Sequence, residues 1–296
     1  MKRALRIVLL LALSAVFLFS SVQLGRQFLS WRRAENSREE ALNAALKTQP
    51  TSLDPTPVVI QPPTAAPATQ APTQPTTEPP TEPPTEPPTE PATQPPDDTE
   101  RMLLEMDLEV LRTANPDVLG WICIPDTVIS YPLMKAEDNN EYLYQTWDKK
   151  QSKYGSIFLE CRNSHDFSDF NTLIYGHNML TQDMFGTLSD YKDQDFFESH
   201  PSVYVLLDSG VYRYQVFSCY DANVVSDTYR LIFEDDARRQ SALDLYTSGS
   251  LLETDLVPAV TDRILTLSTC TGRGTDDLRF VVQAVLAEQT ERAGSQ

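Results

Sequence analysis

Hydrophobic and polar positions divide the chain into stretches of unlike pattern. Ile7 to Gly25 is a run of 19 residues without a charge, rich in Leu, Val, Ala and Phe and bounded by Arg6 and Arg26. As a helix rising about 1.5 Å per residue it would span about 28 Å, close to the hydrocarbon thickness of a bilayer. Lys2, Arg3 and Arg6 precede it. That predicts a cytoplasmic N-terminus and an extracellular remainder, although Arg26, Arg32 and Arg33 on the far side reduce the charge asymmetry. The run is longer than a signal-peptide core and no small-x-small site follows it, so a retained single-pass anchor is expected over a cleaved leader.

Periodicity then vanishes. Between Thr48 and Glu100 there is no Lys or Arg and, beyond Val58-Val59-Ile60, almost no bulky apolar side chain; Thr-Glu-Pro-Pro recurs three times from Thr77. Proline locks φ and donates no hydrogen bond. The tract therefore reads as extended polyproline II, a spacer reaching up to about 140 Å that would hold a domain off the membrane.

From Arg101 onward the pattern is that of a folded domain. Leu103, Leu104, Met106, Leu108, Val110 and Leu111 predict one amphipathic helix over Met102–Thr113, stopped at Asn115-Pro116. Strands follow. Val203–Leu207 and Val211–Cys219 flank Asp208-Ser209-Gly210 as a hairpin, and Ile157–Leu159, Thr172–Tyr175, Arg263–Cys270 and Leu278–Leu286 are further short runs bounded by turn residues. A second helix is expected over Asp235–Tyr246, with Gly249 just past its end. Many short strands and few helices make the domain mainly β, a closed or nearly closed barrel or a sandwich.

Composition sharpens the division. Seventeen of the 22 prolines lie between Pro50 and Pro96, which leaves one region able to bury a substantial core. The expected organisation is a cytoplasmic tip and transmembrane anchor over 1–33, a polar and Pro/Thr/Glu-rich extended linker over 34–100, a folded domain over 101–290 and a disordered tail over 291–296. The net charge is −18, most of it in the folded region, and an acidic domain excludes nucleic acid as a partner because phosphates would be repelled. Four cysteines without paired CxxC spacing make neither a disulfide scaffold nor a zinc site.

Three segments carry candidate chemistry. Thr266-Leu267-Ser268-Thr269-Cys270 puts a thiol at a strand end, just before Gly272-Arg273-Gly274. In Leu278–Leu286 the apolar residues Leu278, Phe280, Val282, Ala284 and Leu286 alternate with Arg279, Val281, Gln283 and Val285, so Arg279 is not forced into the core. If the two strands pair around residues 271–277, Cys270 and Arg279 sit at neighbouring strand ends, although a slip of one residue would turn either away. The third segment is Tyr175-Gly176-His177-Asn178, where His177 follows a strand. A thiol of pKa about 8.5 needs a base at neutral pH, and an imidazole of pKa about 6.5 can take its proton and return it to an amine. An arginine beside the carbonyl could stabilise the oxyanion, a role commonly worth about 3 kcal/mol. Each residue also has a structural reading: a buried cysteine, a satisfied histidine, an ion-paired arginine, with Arg273 as a rival. Cys123, Cys161 and Cys219 read as structural, a disulfide among them being left open by an exported location. His165 and His200 read as surface.

The segments Tyr175–Asn178, Thr266–Cys270 and Arg279-Phe280-Val281-Val282 together resemble the signature of sortases, cysteine transpeptidases of Gram-positive cell surfaces, and the subclass is similar to class B. Asn115–Ile122, Asp138-Asn139 with Tyr142-Leu143, Gly155–Phe158 and the helix from Asp235 extend the resemblance over about residues 102–287. It implies an eight-stranded sortase β-barrel with an N-terminal helix and an extra helix in the connection between the sixth and seventh strands. It also implies Cys270 as nucleophile, His177 as general acid/base and Arg279 as oxyanion or substrate stabiliser. Asn139, Leu143, Tyr175, Ser268 and Thr269 would line the sorting-signal groove. The implied reaction cleaves a C-terminal sorting motif after threonine, forms a thioester and transfers the exported protein to an amine of peptidoglycan or its precursor. No metal or cofactor is required. A pilin-polymerising sortase using a lysine amine, or a non-enzymatic stalked surface module, are the alternatives.

Overall fold

The computed structural model describes residues 2–46, 97–179, 181–270 and 277–292. The proline tract, and with it the expectation of polyproline II, lies outside the described residues. The helices are α1 (Lys2–Leu46), α2 (Asp98–Leu104), α3 (Leu108–Ala114), α4 (Gln194–Ser199) and α5 (Asp236–Ser248). The strands are β1 (Val118–Cys123), β2 (Ser130–Met134), β3 (Ile157–Leu159), β4 (Asn171–Tyr175), β5 (Ser202–Leu207), β6 (Gly210–Asn223), β7 (Ile264–Cys270) and β8 (Leu278–Glu291).

The eight strands close into a barrel in the order β1-β2-β3-β4-β7-β8-β6-β5. β5 returns to β1 through pairs such as Ile122 with Val205, and closure removes the open edges that a sheet otherwise exposes. The hairpin expected around Asp208-Ser209-Gly210 forms, but with a two-residue loop rather than three, because Gly210 already pairs with Leu207 as the first residue of β6. Inside the barrel lie Ile122, Leu133, Ile174, Leu267, Phe280 and Val282. The opposite face of β8 is buried too: Val281 and Val285 pack under Ala242, Leu243 and Tyr246 of α5. That helix starts where Asp235 accepts a hydrogen bond from the Arg238 N–H, and its last turn is closed by the Gly249 N–H, the cap chemistry that the sequence carries.

Two expectations are corrected. The single helix over Met102–Thr113 is two helices, α2 and α3. The Asp107 N–H bonds to the Ala45 carbonyl at 3.0 Å while its side chain caps α3 by accepting from the Glu109 N–H. A tertiary partner from 62 residues upstream interrupts a pattern that is locally continuous.

The second correction concerns the linker. The boundary at residue 34 falls inside α1, which continues to Leu46 because its last turns have something to pack on. Ala41 and Ala45 are fully buried, one helical turn apart on the same face. Arg38 donates to the Val128 carbonyl at 3.0 Å, and the Trp147 indole donates to the Ser37 carbonyl at 2.8 Å. At the other end of the tract, the Tyr204 hydroxyl donates to Asp97 at 2.5 Å. Both described segments flanking the tract therefore make contacts with the barrel domain. Composition indicates how far a segment can extend, but not where its ends are held.

Of the tail expected over 291–296, only Glu291 and Arg292 are described. β8 runs to Glu291, and the Arg292 guanidinium donates to the carbonyls of Leu104 and Met106; residues 293–296 lie outside the described residues. Among the described residues no helix is long and apolar enough to cross a membrane, and the side chains of residues 2–12, which include the start of the apolar run, lie outside them.

Candidate active site

Three adjacent strands assemble the site. β4 and β7 run parallel, with Tyr175 opposite Ser268, and the Gly176 N–H extends the ladder to the Ser268 carbonyl at 3.2 Å. His177 and Cys270 each follow that pair by two residues, so the two strand ends carry them out side by side. β8 then returns antiparallel to β7 with Cys270 opposite Arg279. This register sets the two residues directly opposite one another, and the one-residue slip that would separate them is excluded by six further matched pairs along β7 and β8, Ile264–Val285 through Thr269–Phe280. The Cys270 side chain and residues 271–276 lie outside the described residues.

The imidazole of His177 is held from one side. Its Nε2 lies 2.8 Å from the Leu143 carbonyl. A carbonyl only accepts, so Nε2 carries the proton and Nδ1 is the nitrogen left for exchange. The Tyr144 ring stands 6.3 Å away at a tilt of 46°. Gly155 closes the back of the pocket with φ of +58°; a Cβ there would lie 2.6 Å from the Tyr142 carbonyl, 2.7 Å from that of Leu143 and 3.0 Å from His177 Cδ2. Glycine at 155 thus lets the chain pass behind the very carbonyl that orients the ring. The Arg279 guanidinium donates to the Leu278 carbonyl at 2.9 Å.

The outer face of β4, β7 and β8 continues the site away from the histidine. Thr266 donates to Asn171 at 2.8 Å, Gln283 donates to Thr266 at 3.2 Å, and Asn171 donates to the carbonyls of Thr228 and Arg230. This buried chain fastens the β6–β7 connection over the strands, and the Tyr229 hydroxyl of that connection bonds the Ser268 hydroxyl at 3.0 Å. A cleft of about 700 Å³ opens beyond, bordered by Arg162, Asp169, Val225, Tyr229, Arg230 and Ile232.

The expected groove residues divide into two kinds. Asn139 and Tyr175 are partly exposed and meet through Glu160. Leu143 is partly buried, and its backbone carbonyl bonds the histidine. Ser268 and Thr269 are almost fully buried; Ser268 bonds Tyr229, while the Thr269 hydroxyl has no hydrogen-bond partner among the described residues. Glu160, Gly155 and Tyr229 were not singled out as functional from the sequence. Of these only Gly155 entered the sequence reading, as part of the Gly155–Phe158 resemblance, which did not say what its turn encloses.

The described cysteines are free. Burial pushes the Cys123 thiol up to about 11 and that of Cys219 to about 12; burial and the adjacent Glu160 carboxylate raise that of Cys161. None of the three is activated as a nucleophile. No group of three or more His, Cys, Asp or Glu side chains able to hold a metal occurs among the described residues.

A family model described as Sortase domain matches residues 122–287. Sortase B of Staphylococcus aureus is 36% identical over 162 residues, 55% of this chain and 66% of the relative. Sortase B of Listeria monocytogenes is 36% identical over 191 residues, 61% of this chain and 74% of the relative. Among solved structures, the Staphylococcus aureus sortase B–substrate complex superimposes with a TM-score of 0.59 at 32% identity, covering 64% of this chain and 87% of that one.

Proposed function

The chain belongs to the sortase family of cysteine transpeptidases, and from that premise we propose that it cleaves exported proteins at a C-terminal sorting motif and transfers them to a cell-wall amine. The observation that carries this reading is the strand register. Tyr175 opposite Ser268, together with Cys270 opposite Arg279, brings His177, Cys270 and Arg279 to one end of three neighbouring strands.

In the proposed cycle His177 Nδ1 takes the Cys270 proton, and the thiolate attacks the threonine carbonyl carbon. The carbonyl electrons move to oxygen, where Arg279 supplies a cationic donor. Collapse of the tetrahedral intermediate breaks the C–N bond. The departing amine leaves with the proton from His177, and a thioester remains on Cys270. A second amine then attacks that thioester, gives its proton to Nδ1 and releases the thiolate. Asn139, Leu143, Tyr175, Ser268 and Thr269 are assigned to the peptide groove by position. Solution of a relative with its substrate supports a groove of this kind.

Membrane attachment is part of the proposal. It rests on the apolar run and on the side chains of Val16, Phe17, Leu18, Phe19, Val22 and Leu24, each more than half exposed along α1 among the described residues. The first turns of α1 would anchor and its last turns would hold the barrel directly, with the catalytic domain on the extracellular side.

The test uses the full-length chain in detergent, fluorogenic peptides with threonine before the scissile bond, and an added amine. Cleavage with amine-dependent product, a trapped acyl adduct on Cys270, and loss of both in Cys270→Ala and His177→Ala are expected. Cleavage that survives Cys270→Ala would reject the assignment.

A further inference from the structure

Glu160 follows β3 and is almost completely buried, with relative exposure of 1%. An ionised carboxylate in that position loses several kcal/mol of hydration unless donors replace the water. Here donors converge from three chain segments. Oε2 accepts from Asn139 Nδ2 at 2.8 Å and from the Tyr175 hydroxyl at 3.0 Å. Oε1 accepts from Arg162 Nε at 2.7 Å, from the Arg162 N–H at 3.3 Å and from the Cys161 thiol at 3.5 Å.

We propose that Glu160 is a positioning and specificity-determining residue, fixing Asn139 and Tyr175 in the one hydrogen-bonding arrangement that the peptide groove presents to substrate. The inference rests on the assignment of those two residues to the groove.

The donor and acceptor arithmetic supports it. Asn139 is held at both ends: its Nδ2 faces Glu160, and its Oδ1 accepts the Cys161 N–H at 2.9 Å. The amide cannot rotate by 180° without setting an oxygen against the carboxylate and an amino group against a backbone donor. Tyr175 spends its only proton on Glu160. Burial and that carboxylate raise its pKa far above the ordinary phenol value, so it stays protonated. What Asn139 can still offer a ligand is its second Nδ2 hydrogen and the second lone pair of Oδ1, and what Tyr175 can still offer is an oxygen lone pair. Together they form a donor and an acceptor that match a peptide or carboxamide group. An amide at 160 has one accepting oxygen where the carboxylate has two: turned to Asn139 and Tyr175 it sets its amino group against the Arg162 donors, and turned to Arg162 it sets that group against Asn139 and Tyr175.

Glu160 touches no reacting atom, so its loss should fall on substrate recognition. Three full-length variants, Glu160→Gln, Glu160→Asp and Asn139→Ala, are compared with wild type on fluorogenic peptides that keep threonine before the scissile bond and vary one upstream position at a time. The lost bonds to a charged acceptor predict a rise in KM of roughly tenfold or more for Glu160→Gln, with kcat changed less than about threefold. Discrimination among the upstream residues should weaken, and Glu160→Asp should restore part of the loss. Glu160→Gln combined with Asn139→Ala should cost less than the product of the two single effects, because both remove the same contact. A fall in kcat at unchanged KM, unaltered discrimination among peptides, or fully multiplicative effects would overturn the positioning role. Wild type cleaving none of the peptides would overturn the functional reading and this inference with it, whereas wild-type cleavage with a silent Glu160→Gln overturns this inference alone.

Discussion

Replacing Gly155 by alanine perturbs His177, the proposed acid/base, through a single methyl group. Residue 155 has φ of +58°, a conformation that costs an L-residue about 1–2 kcal/mol relative to the right-handed region. The new Cβ would sit 2.6–2.7 Å from two backbone carbonyls, those of Tyr142 and Leu143, and backbone yields less readily than a side-chain tip. The Leu143 carbonyl must retreat, and with it goes its bond to His177 Nε2, worth about 1 kcal/mol net. The combined loss is about 2–3 kcal/mol, which lowers the melting temperature of a domain of this size by roughly 5–10 °C. An imidazole free to rotate presents Nδ1 in fewer encounters, and kcat should fall about tenfold or more with KM little changed. Gly155→Asn separates the two causes. Asparagine tolerates the left-handed backbone better than alanine but carries the same Cβ, so it should recover part of the melting temperature and none of the kcat. Steady-state peptide cleavage and thermal melts by circular dichroism read both quantities. A Gly155→Ala enzyme with wild-type kcat, or an asparagine variant that restores kcat along with stability, would refute the role given to the Leu143 carbonyl.

Three further outcomes are expected. At pH 7 the Cys123 and Cys219 thiols, with pKa values about 11 and 12, are ionised only to about one part in ten thousand and one in a hundred thousand; iodoacetamide on the native chain, followed by peptide mass mapping, should leave both unmodified, and their prompt alkylation would contradict the burial described. Burial alone would raise Glu160, but its bonds from Arg162, Asn139 and Tyr175 outweigh it and hold the carboxyl below its ordinary value. Its contribution is therefore complete above the unfolded carboxylate pKa and is lost as pH falls through the lower folded value, so Glu160→Gln should flatten the acid limb of stability against pH; an unchanged limb in urea titrations between pH 3 and about 6 would count against the network. Cutting the proline tract with a prolyl endopeptidase should leave the two pieces associated in size exclusion through the docked end of α1, and Ala41→Asp, which buries a charge at that contact, should release them; pieces that separate without the substitution would show that the helix does not hold the barrel.

Much of the architecture was legible because it is local. The hairpin at Asp208-Ser209 and the α5 boundaries follow from turn and cap chemistry that neighbouring residues specify, and β3 is a short β-branched and aromatic run between polar turns. The extent of β8 was underestimated past Leu286, where outward polar residues end the apolar signal while pairing with β6 continues to Glu291. The helix over Met102–Thr113 was misjudged for the converse reason: an apolar pattern continued through a break that a distant carbonyl imposes at Asp107.

The sequence by itself determined which chemistry the chain can carry. A thiol, an imidazole and a guanidinium at strand ends, with glycine where the backbone must turn left-handed, are properties of residue type and near neighbours. Only the tertiary structure decided which of these strand ends are neighbours. The parallel pairing of β4 with β7, the return of β8, the carbonyl behind His177, the carboxylate between Asn139 and Tyr175, and the seat of α1 on the barrel all join residues far apart along the chain. Each such contact is chosen by closure of the whole sheet and by the need to satisfy every buried donor and acceptor at once, a condition that no single segment expresses.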